Sequence, residues 1–307
     1  MAPVTFLARR LGGAALVLLG VSLATFLVAQ TTGDPVTLLV PANATEAARA
    51  ALRAHFGLDQ PWPVQYGLFL LHALGGDLGT SFVYRQPVLD LVLNRLGATF
   101  ELAFAAFAIA LVLGVALGML AALKRNTAVD ACVTAFTMVG LAVPPFWLGL
   151  ILVIVFAVRL QLFPVSGADA ALSVVLPAVT LSLQSTARLA RLLRSAMIEV
   201  LQADYMRTAR AMGLLRARVL WVHGFRNALI PLVTMAGLEL GDLISSAVVI
   251  EAIFAWPGIG RLAIGAVEQR DFPLLQGTVL VAAVCFVTVN LVVDWLYTRI
   301  DPRVVLR

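Results

Sequence analysis

Long runs without a charged residue constrain this chain more than any other feature of its sequence. The first such run, residues 11–30, is about as long as a helix must be to cross the hydrocarbon core of a bilayer. The whole chain is 61% hydrophobic and 13% charged, and a soluble domain of 307 residues cannot cover so much apolar surface with so few charges. The sequence therefore predicts an all-α polytopic membrane protein.

Six long apolar segments predict six transmembrane helices in a single transmembrane domain that covers residues 1–307. The predicted spans lie at about 11–30, 100–123, 131–158, 171–190, 228–250 and 273–296. The first run is long for a signal peptide and has no clear small-x-small cleavage site, which favours an uncleaved first span. The polar, proline-rich segment 31–98 is predicted to be an outer loop, with a short helix at 44–55.

The basic residues indicate how the spans are oriented. With the amino terminus inside, 15 of the 22 Lys and Arg residues fall at cytoplasmic ends and the other 7 fall outside. This distribution follows the positive-inside rule and places both termini in the cytoplasm. The excess of basic over acidic residues is therefore explained by the orientation of the spans, and nucleic acid is not an expected partner. Cys132 and Cys285 both fall in apolar runs, which favours small core residues over a metal site.

The segment 195–227 is polar and helical in pattern, although it lies between two hydrophobic runs. Apolar residues recur at steps of three and four, at Ile198, Leu201, Tyr205, Ala209 and Met212. That spacing predicts one apolar stripe on a helix, with Arg207 and Arg210 on the other side. Gly213 is predicted to end the helix, because glycine tolerates the left-handed conformation. Such a helix either docks into a groove of another protein or lies on lipid headgroups, and the residues alone leave both open.

The chain resembles a known family along nearly its whole length. The stretch Asp204-Tyr-Met-Arg-Thr-Ala-Arg-Ala-Met-Gly-Leu214, followed by Arg226-Asn-Ala-Leu-Ile-Pro231, closely resembles the cytoplasmic loop of binding-protein-dependent ABC importer permeases. More narrowly, it is similar to the dipeptide, oligopeptide and nickel branch. Other matching motifs are Thr32-Gly-Asp-Pro35, Gly57-Leu-Asp-Gln-Pro61, Gly76-Asp-Leu-Gly-Thr-Ser81, Phe163-Pro-Val-Ser-Gly167, Glu251-Ala-Ile-Phe-Ala-Trp-Pro-Gly-Ile-Gly260 and Arg270-Asp-Phe-Pro273. Each motif is weak alone, but their order and spacing make the match strong.

The resemblance implies a type I ABC importer permease fold with a coupling helix that sits in a groove of a cytoplasmic ATPase subunit. The residues implied for this coupling are Asp204, Tyr205, Arg207, Thr208, Ala209, Arg210, Ala211 and Gly213. Aligned on Gly213, the chain has Arg207-Thr-Ala209 where the general family pattern has Glu-Ala-Ala, and the peptide branch usually departs in the same way. Docking of this helix into an ATPase is therefore favoured over a position on the lipid surface.

The resemblance also implies partners in a bacterial inner membrane. They are a second homologous permease, two ATPase subunits that bind ATP and Mg, and an extracytoplasmic binding protein that contacts the loop 31–98. The chain contains no Gly-x-x-x-x-Gly-Lys-Ser/Thr run to cradle phosphates, so no cofactor is expected in this chain itself.

Two acids lie inside the fifth predicted span. Glu239 and Asp242 are three residues apart, which predicts a common helical face. Ionised carboxylates in a bilayer are costly and usually face a partner, the bundle interior or a wet cavity. Two interpretations stay open: the acids line the translocation path and favour a cationic group, or they are packing residues at the contact with the second permease.

Two proline-containing motifs are candidates for moving parts. Pro144 and Pro145 predict a kink or a hinge inside the third span. Trp256 and Pro257 belong to a loop that is either a re-entrant turn near an outer gate or an interfacial loop anchored by its tryptophan.

Three classes of function follow. The first is a permease that imports dipeptides or oligopeptides, or glutathione or a nickel or other metal chelate in the same architecture. The second is a proton-coupled secondary transporter that uses Glu239 and Asp242. The third is a membrane-embedded enzyme, which is disfavoured because no nucleophile, base and oxyanion set can be assembled from the spacing of residues.

Overall fold

A computed structural model describes residues 3–32, 36, 45–55, 59–170 and 172–300. The α-helices longer than one turn are α1 Pro3–Thr32, α2 Glu46–His55, α3 Trp62–Leu74, α4 Val88–Leu123, α5 Ala128–Ala142, α6 Pro145–Leu152, α7 Val175–Gln202, α8 Asp204–Ala211, α9 Arg226–Ile253, α10 Ile259–Glu268 and α11 Phe272–Ile300. One segment of π-helix, Val153–Arg159, continues α6, and another, Val219–Phe225, leads into α9. The predicted all-α class is confirmed.

Within the described residues, four stretches of helix are long and apolar enough to cross a membrane. They are Arg10–Gln30, Val88–Leu123, Arg216–Ile253 and Phe272–Val293, and the bent pair of α5 and α6 makes a fifth if it is counted as one span. The predicted span 171–190 corresponds to α7, which contains three arginines and is not among these stretches. Length and composition therefore support four or five spans, and the count of six stays a prediction.

The predicted outer loop contains more helix than its sequence indicates. α4 begins at Val88, well before the predicted span 100–123, and α2 matches the short helix predicted at 44–55. The sequence does not predict α3, because Pro61 and Pro63 resemble helix breakers. Pro63 lies in the first turn of α3, where a missing N–H costs no hydrogen bond.

The predicted third span, 131–158, is two helices rather than one kinked helix. The helical segments on either side of Val143 and Pro144 meet at a bend of 103°. Both residues are extended, because a following proline excludes the helical conformation from the residue before it. Pro145 then begins α6, where proline is tolerated. The double proline thus ends one helix and starts the next.

The chain divides into two compact units. Unit A consists mainly of residues 99–256 and 288–307, and unit B of residues 2–98 and 257–287. Two long helices, α4 and α11, contribute residues to both units.

α7 is the centre of unit A and packs against α5, α6 and α9. Its residues Leu189 and Leu193 join Leu232 of α9 in one buried apolar cluster. α4 approaches α7 closely, since a Cβ atom at Gly118 would lie 2.7 Å from the carbonyl oxygen of Ala190. Small residues at such a crossing let two membrane helices pack backbone to backbone.

Unit B has its own apolar core. Leu78, Val88, Ile259 and Leu274 are buried together, which packs the turn after α3 and the starts of α4, α10 and α11 against one another. A Cβ atom at Gly277 would lie 2.4 Å from a methyl carbon of Val88, so α11 requires glycine at this contact.

Candidate coupling and translocation sites

α8 lies within the predicted coupling segment, residues 195–227, and is separated from α7 by one residue. Ala203 has an extended backbone with ψ of 150°, which ends α7 and lets α8 start in a new direction. Asp204 lies in the first turn of α8, where its carboxylate faces the positive end of the helix dipole. Gly213 has a φ of 75°, and a Cβ atom there would meet no neighbour. Backbone conformation, not space, therefore requires glycine at this position.

A small apolar cluster holds α8 in place. Met206 is fully buried and packs with Ala209 and Val219. The terminal methyl of Met206 also lies 3.5 Å from the position that a Cβ atom of Gly224 would take. Because Val219 and Gly224 belong to the π-helix that leads into α9, α8 is packed directly on the start of a long helix.

The buried face of α8 differs from the predicted apolar stripe. Tyr205 and Met212 belong to that stripe but are 45% and 74% exposed, whereas Met206 is buried. The stripe assumes one continuous helix from 198 to 212. The break at Ala203 resets the helical phase, so residues before and after it no longer share a face.

The remaining surface of α8 is exposed and positively charged. All of the predicted coupling residues except Ala209 are exposed. Arg207 lies 3.7 Å from the Asp204 carboxylate, and Arg210 donates a hydrogen bond of 3.4 Å to the carbonyl oxygen of Leu201. These contacts leave both guanidinium groups accessible to acidic groups of a partner.

The two acids of the fifth predicted span have different environments. Glu239 is 1% exposed and accepts two hydrogen bonds from the Arg188 guanidinium, of 2.5 Å from Nε and 2.6 Å from Nη2. Asp242 is exposed and forms no hydrogen bond or ion pair with any residue in the described part of the chain. Three residues correspond to an offset of roughly 60° around a helix. That offset separates an acid in the bundle interior from one at its surface.

Arg188 is one of the arginines that the positive-inside count assigns to a cytoplasmic end. In the structure it lies near the middle of α7 and pairs with Glu239. A buried carboxylate requires such a partner, because an unpaired charge in the bundle is costly. Both oxygens of Glu239 are thereby occupied. The proton-coupled alternative, which uses both acids, keeps only Asp242 as an unpaired carboxylate.

A second ion pair connects α5 with α7. Arg194 donates hydrogen bonds of 2.6 and 2.8 Å to the two carboxylate oxygens of Asp130. Asp130 also accepts the backbone N–H of Asn126 at 3.0 Å, which fixes the turn before α5. The hydrogen bond to the carboxylate raises the pKa of Arg194 above its usual value, so the pair is charged at every physiological pH. An acid in the first turn of a helix is the only sequence signal for this pair.

The residues predicted to form a hinge or gate lie at tight turns. Trp256 is 2% exposed, and its backbone N–H donates to the carbonyl oxygen of Glu251 at 2.9 Å. A tryptophan buried in this way does not act as an interfacial anchor. Pro257 continues the turn toward α10, and Pro144 lies at the bend between α5 and α6. A gating movement at either turn stays a prediction.

In unit B, one carboxylate organises a turn that no local sequence pattern identifies. Asp271 is 1% exposed and accepts hydrogen bonds from the Ser81 hydroxyl at 2.5 Å and from the backbone N–H groups of Phe82 at 3.2 Å and Val83 at 3.1 Å. It also accepts the N–H of Leu274, in the first turn of α11, at 3.3 Å. Helix-capping acids are recognisable in a sequence, but the partner turn lies 190 residues earlier in the chain.

Two family models match the chain. Residues 114–306 match the inner membrane component of binding-protein-dependent transport systems. Residues 3–103 match the model of the N-terminal region of the membrane component of the same systems.

Curated relatives align over most of their length. The glutathione transport system permease protein GsiC of Pectobacterium atrosepticum is 42% identical over 272 residues, which is 89% of each chain. GsiC of Salmonella typhi is 40% identical over the same share. A protein of Brucella abortus, provisionally named as a peptide transport system permease, is 42% identical over 96% of this chain and 97% of its own.

Solved structures show a similar fold at low sequence identity. An inward-facing structure of the MetNI methionine ABC transporter matches with a TM-score of 0.59 and 21% identity, over 69% of this chain and 96% of its own. A structure of an amino acid ABC transporter matches with a TM-score of 0.55 and 16% identity, over 68% of this chain and 94% of its own. The type I ABC importer permease fold predicted from the sequence is confirmed.

Proposed function

Because this chain belongs to the family of inner membrane components of binding-protein-dependent transport systems, we propose that it forms half of an ATP-driven import pathway for dipeptides and oligopeptides. A second homologous permease forms the other half. The observation that carries the substrate class is the 42% identity, over nearly the whole chain, to a protein of Brucella abortus named for peptide transport. Glutathione is the second candidate substrate, because a relative of equal identity is named for glutathione transport.

In this proposal, α8 couples transport to ATP hydrolysis by the partner ATPase subunit. The helix is held on Met206 and Ala209, while Tyr205, Arg207 and Arg210 are exposed and free to enter a groove of a cytoplasmic ATPase subunit. That subunit binds ATP and Mg, and its closure moves α8. Because α8 packs on the π-helix that leads into α9, its movement reaches the membrane helices directly. With the six predicted spans, this role would put α8 and both chain termini on the cytoplasmic side.

The translocation path in this proposal runs along the exposed face of α9. Asp242 is the acid on that face, since Glu239 is neutralised by Arg188. An ionised carboxylate at membrane depth is tolerated beside water or a cation. Dipeptides, oligopeptides and glutathione all carry an ammonium group that such a carboxylate attracts. A metal chelate with net positive charge would be attracted in the same way.

The proposal is tested by reconstitution of the chain with its partner permease, two ATPase subunits and a binding protein in vesicles. We expect ATP-dependent uptake of a labelled dipeptide, and loss of uptake when the binding protein is left out. Asp242→Asn is expected to lower the maximal uptake rate about tenfold. Ser245→Ala serves as the control, because the Ser245 hydroxyl bonds to the backbone of its own helix. Uptake driven by a proton gradient in the absence of ATP would contradict the proposal.

A further inference from the structure

The turn Ser81–Gln86 in unit B is fixed by several hydrogen bonds, and we call it the anchored turn. The backbone N–H of Ser81 donates to the carbonyl oxygen of Gln86, and the backbone N–H of Arg85 donates to the carbonyl oxygen of Ser81, each at 3.0 Å. The N–H of Tyr84 donates to the Ser81 hydroxyl at 2.9 Å, and that hydroxyl in turn donates to Asp271. Arg85 has a φ of 54°, which this network maintains. The turn is therefore rigid before any partner binds.

The anchored turn directs its largest side chains outward. Val83 and Tyr84 are 44% and 46% exposed, and Arg85 is exposed as well. Among the described residues, neither the Tyr84 hydroxyl nor the Arg85 guanidinium has a hydrogen-bond partner. Tyrosine and arginine are among the residue types that most often dominate the energy of protein interfaces. A rigid presentation of such residues lowers the entropy lost on binding.

A cavity of about 410 Å³ lies beside the anchored turn in unit B. Its walls include Phe26, Leu68, Phe69 and Phe272, and Phe82 of the anchored turn also lines it. Polar side chains, among them His72 and Gln276, also line it. An apolar recess flanked by polar groups is the usual construction of a protein interface, in which one side receives a side chain from the other.

We propose that the anchored turn and this cavity together form the surface that receives the substrate-loaded binding protein. An apolar side chain of the binding protein enters the cavity, and an acidic residue next to it pairs with Arg85. The inference rests on the proposed function and adds the site and the chemistry of contact. It is supported by the positive charge of Arg85, by the match of residues 3–103 to the N-terminal region of the membrane component of binding-protein-dependent systems, and by the continuity of the turn with the cavity through Phe82.

A free small molecule or a lipid tail explains these features less well. Either would fill the cavity without using the exposed Tyr84 and Arg85, whose side chains lie outside the set of residues that line it. A folded protein partner engages the cavity and the turn at the same time. The binding protein is the partner that the family requires.

The test is a titration of binding protein against the reconstituted complex, with stimulated ATP hydrolysis as the readout. The double variant Tyr84→Ala, Arg85→Glu is expected to raise the half-saturating concentration of binding protein at least tenfold, with an unchanged maximal rate. Gln276→Phe, which fills part of the cavity, is expected to raise it about threefold. Arg95→Glu is the matched control, because Arg95 is an exposed arginine of unit B in α4, outside the turn and the cavity.

Further outcomes separate this inference from the proposed function. A lysine in place of one acidic residue on the binding protein should restore affinity for the Arg85→Glu variant, which identifies the pair. An unchanged half-saturating concentration in the double variant would overturn the inference, while ATP-driven uptake would still uphold the proposed function. Loss of the second permease from the purified double variant would also overturn it, since the turn would then be a contact between permeases.

Discussion

α8 and the anchored turn present similar side chains but are held in opposite ways. Each displays a tyrosine and arginine to the exterior, Tyr205 and Arg207 in α8 and Tyr84 and Arg85 in the turn. α8 rests on the apolar side chain of Met206, whereas Asp271 fixes the turn through directional hydrogen bonds.

The difference matches what each element is proposed to do. Apolar contacts are non-directional, so α8 can shift over its apolar contacts at a modest cost in free energy when an ATPase subunit moves it. Hydrogen bonds to a buried carboxylate weaken steeply when their geometry changes. A turn held in this way is suited to receive a partner without moving.

The largest effect on stability is expected from Asp271→Ala. The change leaves the Ser81 hydroxyl and the N–H groups of Phe82 and Val83 without their acceptor and should destabilise unit B by about 3 kcal/mol. Thermal unfolding in detergent measures the loss, and hydrogen exchange at the Phe82 and Val83 amides should accelerate more than tenfold. Asp90→Ala, at an exposed acid of α4, should cost less than about 1 kcal/mol. Equal losses of stability in Asp271→Ala and Asp90→Ala would show that the hydrogen bonds to Asp271 do not hold the anchored turn.

Met206→Ala tests the apolar cluster that holds α8 in place. The deletion of a fully buried side chain should cost about 2–3 kcal/mol and reduce the uptake obtained per ATP hydrolysed. Met212→Ala is the matched control, because Met212 is 74% exposed and should change stability by about 0.5 kcal/mol or less. The two variants are compared by thermal unfolding and by the ratio of transport to hydrolysis. An unchanged ratio of transport to hydrolysis in Met206→Ala would show that this apolar cluster does not contribute to coupling.

Two glycines test a requirement that both elements share. Gly213 follows α8 with a φ of 75°, and Gly79 precedes the anchored turn with a φ of 81°. A Cβ atom would meet nothing at Gly213 and only an ordinary contact of 3.8 Å at Gly79. Alanine at either site should therefore cost about 1–2 kcal/mol from backbone conformation alone. Thermal unfolding of both variants should show similar losses, and a much larger loss at one site would mean that packing also acts there.

The smallest effect on stability is expected from Arg207→Ala. Its pair with Asp204 spans 3.7 Å between two exposed side chains, so the free energy of unfolding should change by about 0.5 kcal/mol or less. The assembled complex should nevertheless lose its ATPase subunits at a lower salt concentration than the wild type. Salt-dependent gel filtration measures this, and equal salt tolerance would show that Arg207 does not contact the ATPase.

Elements that depend on local patterns could be predicted from the sequence. Charge-free runs located α1, α4 and α11, and the polar segment with Gly213 located α8. Family motifs, rather than periodicity, identified the fold and the transport class. The sequence does not predict the exposed side of α8, because the break at Ala203 carries no proline or glycine to mark it.

Interactions between distant residues could not be predicted in this way. Glu239 resembles a free acid in the sequence, but Arg188, 51 residues earlier, neutralises it in the structure. Ser81 and Asp271 each belong to a recognisable motif, yet nothing in either motif names the other residue as its partner. Such pairs depend on tertiary contacts that no single stretch of sequence records.

Cross-linking between α8 and an ATPase subunit addresses the coupling role of α8 without relying on transport. In a Cys132→Ala, Cys285→Ala background, a Thr208→Cys variant is assembled with ATPase subunits that each carry one cysteine in the groove facing the membrane. The account predicts a disulfide whose yield changes on addition of ATP and falls sharply in the added Gly213→Pro variant. An assembled complex in which Thr208→Cys forms no cross-link, while Tyr84→Cys in the anchored turn does, would contradict it.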